Sequence, residues 1–308
     1  MYHIPVMAKE SIDYLVQNES GCYVDLTFGG GGYSAQILSK LNTGKLYAFD
    51  QDSDAEKNLI QFEDDDRLQF IKGNFRHVKR YLRMFGVSQV DGIVADLGVS
   101  SHQFDEEARG FSFRLGGELD MRMSSDQEET AADILNSYSK EELHRVFGEY
   151  GEVKNAKTLA EKIVVSRHDE SYEKIERFLE IIEPLAPKNR EYRYYSQVFQ
   201  ALRIEVNKEM EALKEMLEQV PYLLKEDGRV VIVSYHSLED RLVKNFIMKG
   251  KFSGQVEKDF YGNDLKPLDA IERKALMPDQ QEIDRNSRAR SAKMRIAKRN
   301  KQQWPITS

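Results

Sequence analysis

The chain has 308 residues, 40% of them apolar and 31% charged, with 15 Phe and 15 Tyr. That is enough apolar material for one large domain or two ordinary ones, and it excludes a disordered or fibrous chain. The net charge of −7 argues at first against nucleic acid, but residues 285–301 hold eight Lys or Arg and no acid, which leaves −15 on the rest.

The opening residues MYHIPVMAKESI lack a basic stretch followed by an apolar run, so no secretory leader is expected. No apolar stretch approaches the roughly 18 residues of a membrane span. A cytoplasmic protein with no membrane partner follows as an expectation. The single Cys22 permits no intramolecular disulfide and reads as a small buried residue in a reducing compartment.

In chain order, strands are predicted at 22–27, 45–50, 68–72 and 91–96. Helices are predicted between them near 33–41, 53–62 and 76–85. Such alternation gives a parallel sheet with right-handed crossovers, an α/β fold whose ligands sit beyond the carboxyl ends of the strands. Asp25, Asp50, Asn74-Phe75 and Asp96 fall at those ends.

The first strand runs into four glycines, Gly29 to Gly32, and the second ends in Asp50. Strand, glycine loop, helix, strand and acid make up a nucleotide-type cofactor site. The glycines let backbone approach a ligand, and the acid roughly 20 residues on meets a ribose. A dinucleotide fingerprint wants a third glycine where Ser34 stands. Adenosylmethionine enzymes use the same crevice with no pyrophosphate to cradle, so they do not need it. Taken alone, a glycine run fits an unrelated turn equally well.

Residues 105–125 read as loop, and helices then follow without strands. Ser139 to Glu142 forms a capping box. Helical spacing covers 155–167 and 171–185, and a single long helix is expected from Ser196 to Gln219. Residues 229–235 (RVVIVSY) return as an apolar strand, with a helix opening near Leu238. A helical domain over 105–205, inserted into an α/β domain of 1–104 and 206–308, accounts for this order.

Asp96 is placed to accept a hydrogen bond from an amine or cofactor, though a lone Asp more often caps a loop. His236 follows the 229–235 strand and reads as a rim residue or as packing beside a helix cap. The six histidines lie far apart in sequence, and no metal site stands out. Phe104, Phe111 and Phe113, and Tyr192, Tyr194 and Tyr195 among Arg190 and Arg193, read either as base-stacking surfaces or as ordinary helix packing. The tail stretch AKMRIAKR (292–299) is expected as an edge strand with Lys293 and Arg295 on one face and Met294 and Ile296 on the other.

Several segments in this order resemble the bacterial 16S rRNA (cytosine-N(4))-methyltransferase family, also called MraW or RsmH. They are HIPVM (3–7), DLTFGGGGYS (25–34), DGIVADLGVSS (91–101), RGFSF (109–113), LDMRM (119–123), FQALRIEVNKE (199–209), VSYHSLEDRLVKNF (233–246) and RNSRARSAKMRIAKR (285–299). The resemblance implies a class I, Rossmann-like methyltransferase fold with an inserted all-helical domain. It implies S-adenosylmethionine as cofactor and the small ribosomal subunit as partner, with methylation of the exocyclic amine of a decoding-centre cytidine in 16S rRNA. Carried over by position, the cofactor residues are Gly31, Gly32, Tyr33, Asp50, Phe75, Asp96 and Gln103. Asp96 is the candidate catalytic group, and His236, Arg288, Arg290 and Lys293 are candidate substrate contacts. The chain departs from the family's usual pattern at Tyr33, His102, residues 194–198 and Ser287, which leaves open a paralogue with another RNA target. An NAD-type oxidoreductase and a silent RNA-binding protein are the competing readings, and a homodimer is left open.

Overall fold

The computed structural model describes residues 5–302 and 304, so His3 and Ile4 of the HIPVM stretch lie outside the described residues. Two units emerge, one of Met1–Gly98 with Met210–Ser308 and one of Val99–Glu209. The division falls a few residues from the 104/105 and 205/206 boundaries expected above.

The first unit is built on helix α1 (Ala8–Leu15), strand β1 (Cys22–Asp25), α2 (Gly32–Lys40), β2 (Lys45–Asp50), β3 (Leu68–Lys72), α3 (Val78–Met84) and β4 (Val90–Asp96). The second unit contributes α4 (Ser101–Asp105), α5 (Ala131–Ser137), α6 (Lys140–Glu149), α7 (Ala156–Ser166), α8 (Ile175–Ile182) and α9 (Glu191–Asn207). The chain then returns through α10 (Glu209–Leu223), β5 (Leu224–Ser234), α11 (Ser237–Lys249), a small β6–β7 hairpin (Glu257–Lys258, Asp264–Leu265), β8 (Leu268–Ala270), α12 (Gln280–Arg285) and β9 (Lys293–Arg299).

The main sheet has the order β3-β2-β1-β4-β5-β9-β8. The first five strands are parallel, and β9 runs antiparallel between β5 and β8. Helices cover both faces, so the central strands are continuous apolar runs. Ile12, Leu15, Ile37 and Leu38 pack on Val94, Val231 and Ile296 on one side. Val78, Leu213, Met216 and Phe246 pack on Val24, Ile93 and Ile232 on the other. The strand order reverses between β1 and β4, the switch point beside which such sheets bind ligands.

Four expectations are corrected. The strand β9 is interior, because the three-residue β8 pairs outside it. Its alternation holds, with Met294 and Ile296 fully buried. Residues Ser53–Phe62 form a 3₁₀ rather than an α-helix. That geometry aligns residues three apart, and it brings both Asn58 and Gln61 onto the glycine loop, where their side-chain amides donate to the Gly29 and Gly30 carbonyls, each at 2.9 Å. The long helix expected over 196–219 breaks at Lys208, which takes the left-handed conformation (φ 48°) and ends α9 by donating its amide to Glu205 O and Ile204 O. Cys22 is half-buried rather than core, and burial pushes its thiol up to about 11.

The helical unit has its own core, with Phe147, Ile163, Tyr172, Phe178, Val198 and Leu202 fully enclosed. The capping box at Ser139 is present, with the Ser139 amide donating to Glu142 Oε2 at 2.8 Å.

Candidate functional site

The carboxyl ends of β1, β2 and β4 bring three carboxylates into the first unit's crevice. Asp25 is completely buried, accepts from Ser34 Oγ at 2.7 Å and from the Thr27 amide at 3.1 Å, and is pushed up to about 6 by burial. Asp50 accepts the Gly29 amide on Oδ2 at 2.7 Å and the Asp52 amide on Oδ1 at 2.9 Å. Burial also raises it to about 6, although its side chain keeps partial solvent access. Asp96 accepts from Tyr235 Oη on Oδ1 at 2.7 Å. Burial first, then the charges of Asp25, Glu239 and Glu282, raise it to about 7 against the lowering effect of the Tyr235 bond. The Asp96 amide donates to Thr27 Oγ1 at 2.7 Å, which ties the ends of β4 and β1 together.

The glycine loop is held from behind. Because Asn58 draws the Gly29 carbonyl toward the 3₁₀ segment, the Gly30 amide of the same planar peptide points the opposite way. A Cβ on Gly31 would meet Phe62 at 2.7 Å, and one on Gly32 would meet Pro5 at 2.7 Å. Those two glycines are therefore required by internal packing. At Gly29, with φ 49°, a Cβ would come no nearer than 4.0 Å to another atom, the Thr27 carbonyl oxygen. This is room for a ligand against backbone, next to a carboxylate whose two oxygens each still have acceptor capacity. The first-turn amides of α2 have no intrahelical acceptor. The set fits the ribose and amino-acid ends of an adenosylmethionine.

The other expected residues divide. Phe75 follows Asn74, whose side-chain amide donates to Gln51 Oε1 at 2.7 Å, so the ends of β2 and β3 are bridged beside it. Tyr33 turns its ring into the core and donates its hydroxyl to the Val6 carbonyl, leaving only its backbone to face the loop. Gln103 belongs to the helical unit, where its side chain closes the capping box of α4 by accepting the Ser100 amide at 3.1 Å. His236 is the N-cap of α11, with Nε2 3.2 Å from Glu239 Oε1. Lys293 does not stand clear, since its Nζ lies 3.3 Å from Asp240 Oδ2, beside Arg295 Nε at 2.6 Å from Oδ1. Arg288 and Arg290 are exposed on a short 3₁₀ turn. Tyr235 carries no signal of its own in the sequence, although it borders His236 just beyond β5, which runs Leu224–Ser234 rather than the expected 229–235.

The sequence pattern of the MraW methylase family matches residues 1–300. The chain belongs to this family. Among its relatives, "Ribosomal RNA small subunit methyltransferase H" of Cytophaga hutchinsonii is 54% identical over 97% of this chain and 100% of its own length. Proteins of the same name from Bacteroides thetaiotaomicron and Parabacteroides distasonis are each 51% identical, over 97% of this chain and 97% of theirs. This methylase is an S-adenosylmethionine-dependent methyltransferase built on a mostly parallel α/β sheet, and the oxidoreductase alternative falls away. No helix among the described residues is long and apolar enough to cross a membrane.

Proposed function

We propose that this methylase transfers a methyl group to the exocyclic N(4) amine of a cytidine in the decoding centre of 16S rRNA, in the cytoplasm. The observation that carries this reading is Asp96, a carboxyl group at the switch point with one oxygen held by Tyr235, in a chain that aligns end to end with rRNA methyltransferases. Adenosylmethionine supplies, when bound, an electrophilic methyl on a sulfonium. Asp50 would take the ribose hydroxyls, and the Gly29–Tyr33 backbone with Phe75 would enclose the rest of that group.

A cytosine amine is a poor nucleophile because its lone pair is conjugated into the ring. Asp96 would therefore do two things. Its free oxygen would accept one amine proton and turn the lone pair toward the methyl, holding the nitrogen within about 3–3.5 Å. It would then take the proton that the methylated nitrogen sheds. A carboxyl poised near 7 suits that exchange. No covalent nucleophile is needed for attack by nitrogen, in keeping with an inert Cys22. The target base must leave its stack to reach Asp96. Recognition of the surrounding RNA would fall to the helical unit, with His236, Arg288 and Arg290 on the α/β unit.

Nucleoside mass spectrometry of small-subunit rRNA from cells lacking the gene tests this. Loss of N(4)-methylcytidine at one position, restored by the gene and not by its Asp96→Asn variant, is the expected result. An unchanged modification pattern contradicts it.

A further inference from the structure

A second chemistry lies wholly within the helical unit. Phe178 and Phe199 are core residues whose rings lie 5.9 Å apart. Phe113 packs edge-on against Phe199 at 5.6 Å and against Tyr195 at 5.6 Å. Tyr192 lies 6.2 Å from Phe113, tilted by 36°, and is 67% exposed. The rings thus run unbroken from the core to the surface, and Tyr192 is the outer end of a braced series. The Arg114 guanidinium lies over both outer rings, 5.8 Å from Phe113 and 5.7 Å from Tyr192.

The surroundings are basic. Lys188, Arg190 and Arg193 are exposed. Among the described residues, none of these three nor Arg114 forms an ion pair with a carboxylate. Glu191, which adjoins Tyr192 in sequence, spends Oε1 on the Asn189 amide at 2.9 Å. On a chain of net charge −7, four unneutralised cations around an exposed ring are not an average surface. A protein-binding hot spot would also use Tyr and Arg, but a cationic surround with a guanidinium laid over aromatic faces matches a polyanion that carries flat rings.

We propose that Phe113, Arg114 and Tyr192 form a platform on which an unpaired nucleobase of the RNA substrate stacks, with Lys188, Arg190 and Arg193 taking the flanking phosphates. This rests on the RNA-methylating reading above and names where the helical unit grips. A braced ring loses little freedom on binding, so stacking on Tyr192 adds affinity without favouring one base.

The test uses the full chain and Tyr192→Ala, Tyr192→Phe and the Arg190→Ala/Arg193→Ala pair. RNA affinity is read by anisotropy on 16S rRNA fragments across a salt series, with KM and kcat for methyl transfer and adenosylmethionine affinity by calorimetry. Tyr192→Ala should weaken RNA binding and raise KM about tenfold, within the range for one stacked base, with the salt slope, kcat and cofactor affinity unchanged. Tyr192→Phe should behave as wild type. The arginine pair should flatten the log–log salt slope by somewhat under two. Unchanged RNA affinity in Tyr192→Ala overturns the platform. So does a loss confined to assembled subunits with naked rRNA binding intact, which would put a ribosomal protein there. If the wild-type enzyme transfers no methyl to RNA, the functional reading itself fails, and that result is distinct from an active enzyme indifferent to Tyr192.

Discussion

The strand Lys293–Arg299 and the helix start around Tyr192 are both rich in cations, and they spend that charge differently. In the strand, Lys293 and Arg295 converge on Asp240 in the first turn of α11, and Lys298 pairs with Asp227. Arg299 donates to the carbonyls of Pro221 and Pro267. Around Tyr192 the cations stand exposed beside rings, and among the described residues none of them is ion-paired with a carboxylate. A count of charges per segment does not separate cations that hold a sheet from cations offered to phosphate. The strand's period of two does, because it aims alternate cations at one acidic helix end. Both regions differ again from the acids at the strand ends, Asp25, Asp50 and Asp96, which burial holds above the usual carboxylate range.

Substitutions that separate these jobs would break or sharpen the contrast. The largest effect is expected at Asp240. Asp240→Ala leaves Arg295, whose side chain is only 11% exposed, without its partner. Loss of one member of a buried pair costs about 3–5 kcal/mol, so calorimetry should show a melting temperature lower by several degrees. If stability holds and RNA affinity falls instead, the strand's cations belong to the RNA and the contrast collapses.

Next is Asp96→Asn, which keeps the shape and removes the proton acceptor. Turnover should fall by about a hundredfold, the lower end for general-base removal, with RNA affinity intact. Wild-type turnover should rise as pH passes through about 7, where the carboxylate forms, and the variant's should not. Stability should move the other way. An unfolded Asp releases its proton near 4, whereas folded Asp96 keeps it to about 7. Folding therefore loses stability as pH rises through that window. Asp96→Asn should melt higher than wild type at pH 8, with the gap closing toward pH 4. A variant that is less stable at pH 8 would show that the Tyr235 bond, not burial, dominates this site.

Asp50→Ala should weaken adenosylmethionine binding by about 1.5–3 kcal/mol, the scale for hydrogen bonds to a charged group. Equal affinity in a calorimetric titration removes Asp50 from the cofactor. The smallest change is expected from Arg288→Ala with Arg290→Ala. These residues sit on an exposed turn, so RNA affinity should drop modestly, and the salt slope should flatten by somewhat under two with melting unchanged. A preserved slope would assign phosphate contact to the helical unit alone.

The parallel sheet was legible because strands buried on both faces read as unbroken apolar runs between glycine and acid signals, as in CYVD and KLYAFD. Asp50 was legible from its spacing to the glycines. Tyr235 was not, because its partner Asp96 lies 139 residues away and nothing local marks the pair. Arg295 and Asp240 were hidden for the same reason, 55 residues apart. The break at Lys208 has no local signature, since left-handed backbone in a lysine is set by tertiary packing rather than by side-chain preference. The 3₁₀ form of residues 53–62 shares its apolar spacing with an α-helix and shows itself only through what Asn58 and Gln61 hold. The tail's basic run suggested one strip of phosphate contacts, whereas the structure divides it into exposed Arg288 and Arg290 and an ion-paired strand.

The most direct measurement supplies the purified enzyme with methyl-labelled adenosylmethionine and small subunits from cells lacking the gene, and then identifies the labelled nucleoside. Label is expected in N(4)-methylcytidine at a single decoding-centre position, abolished or cut about a hundredfold by Asp96→Asn while the variant still binds both subunit and cofactor. Label on another atom or another RNA, or full transfer by Asp96→Asn, would contradict it.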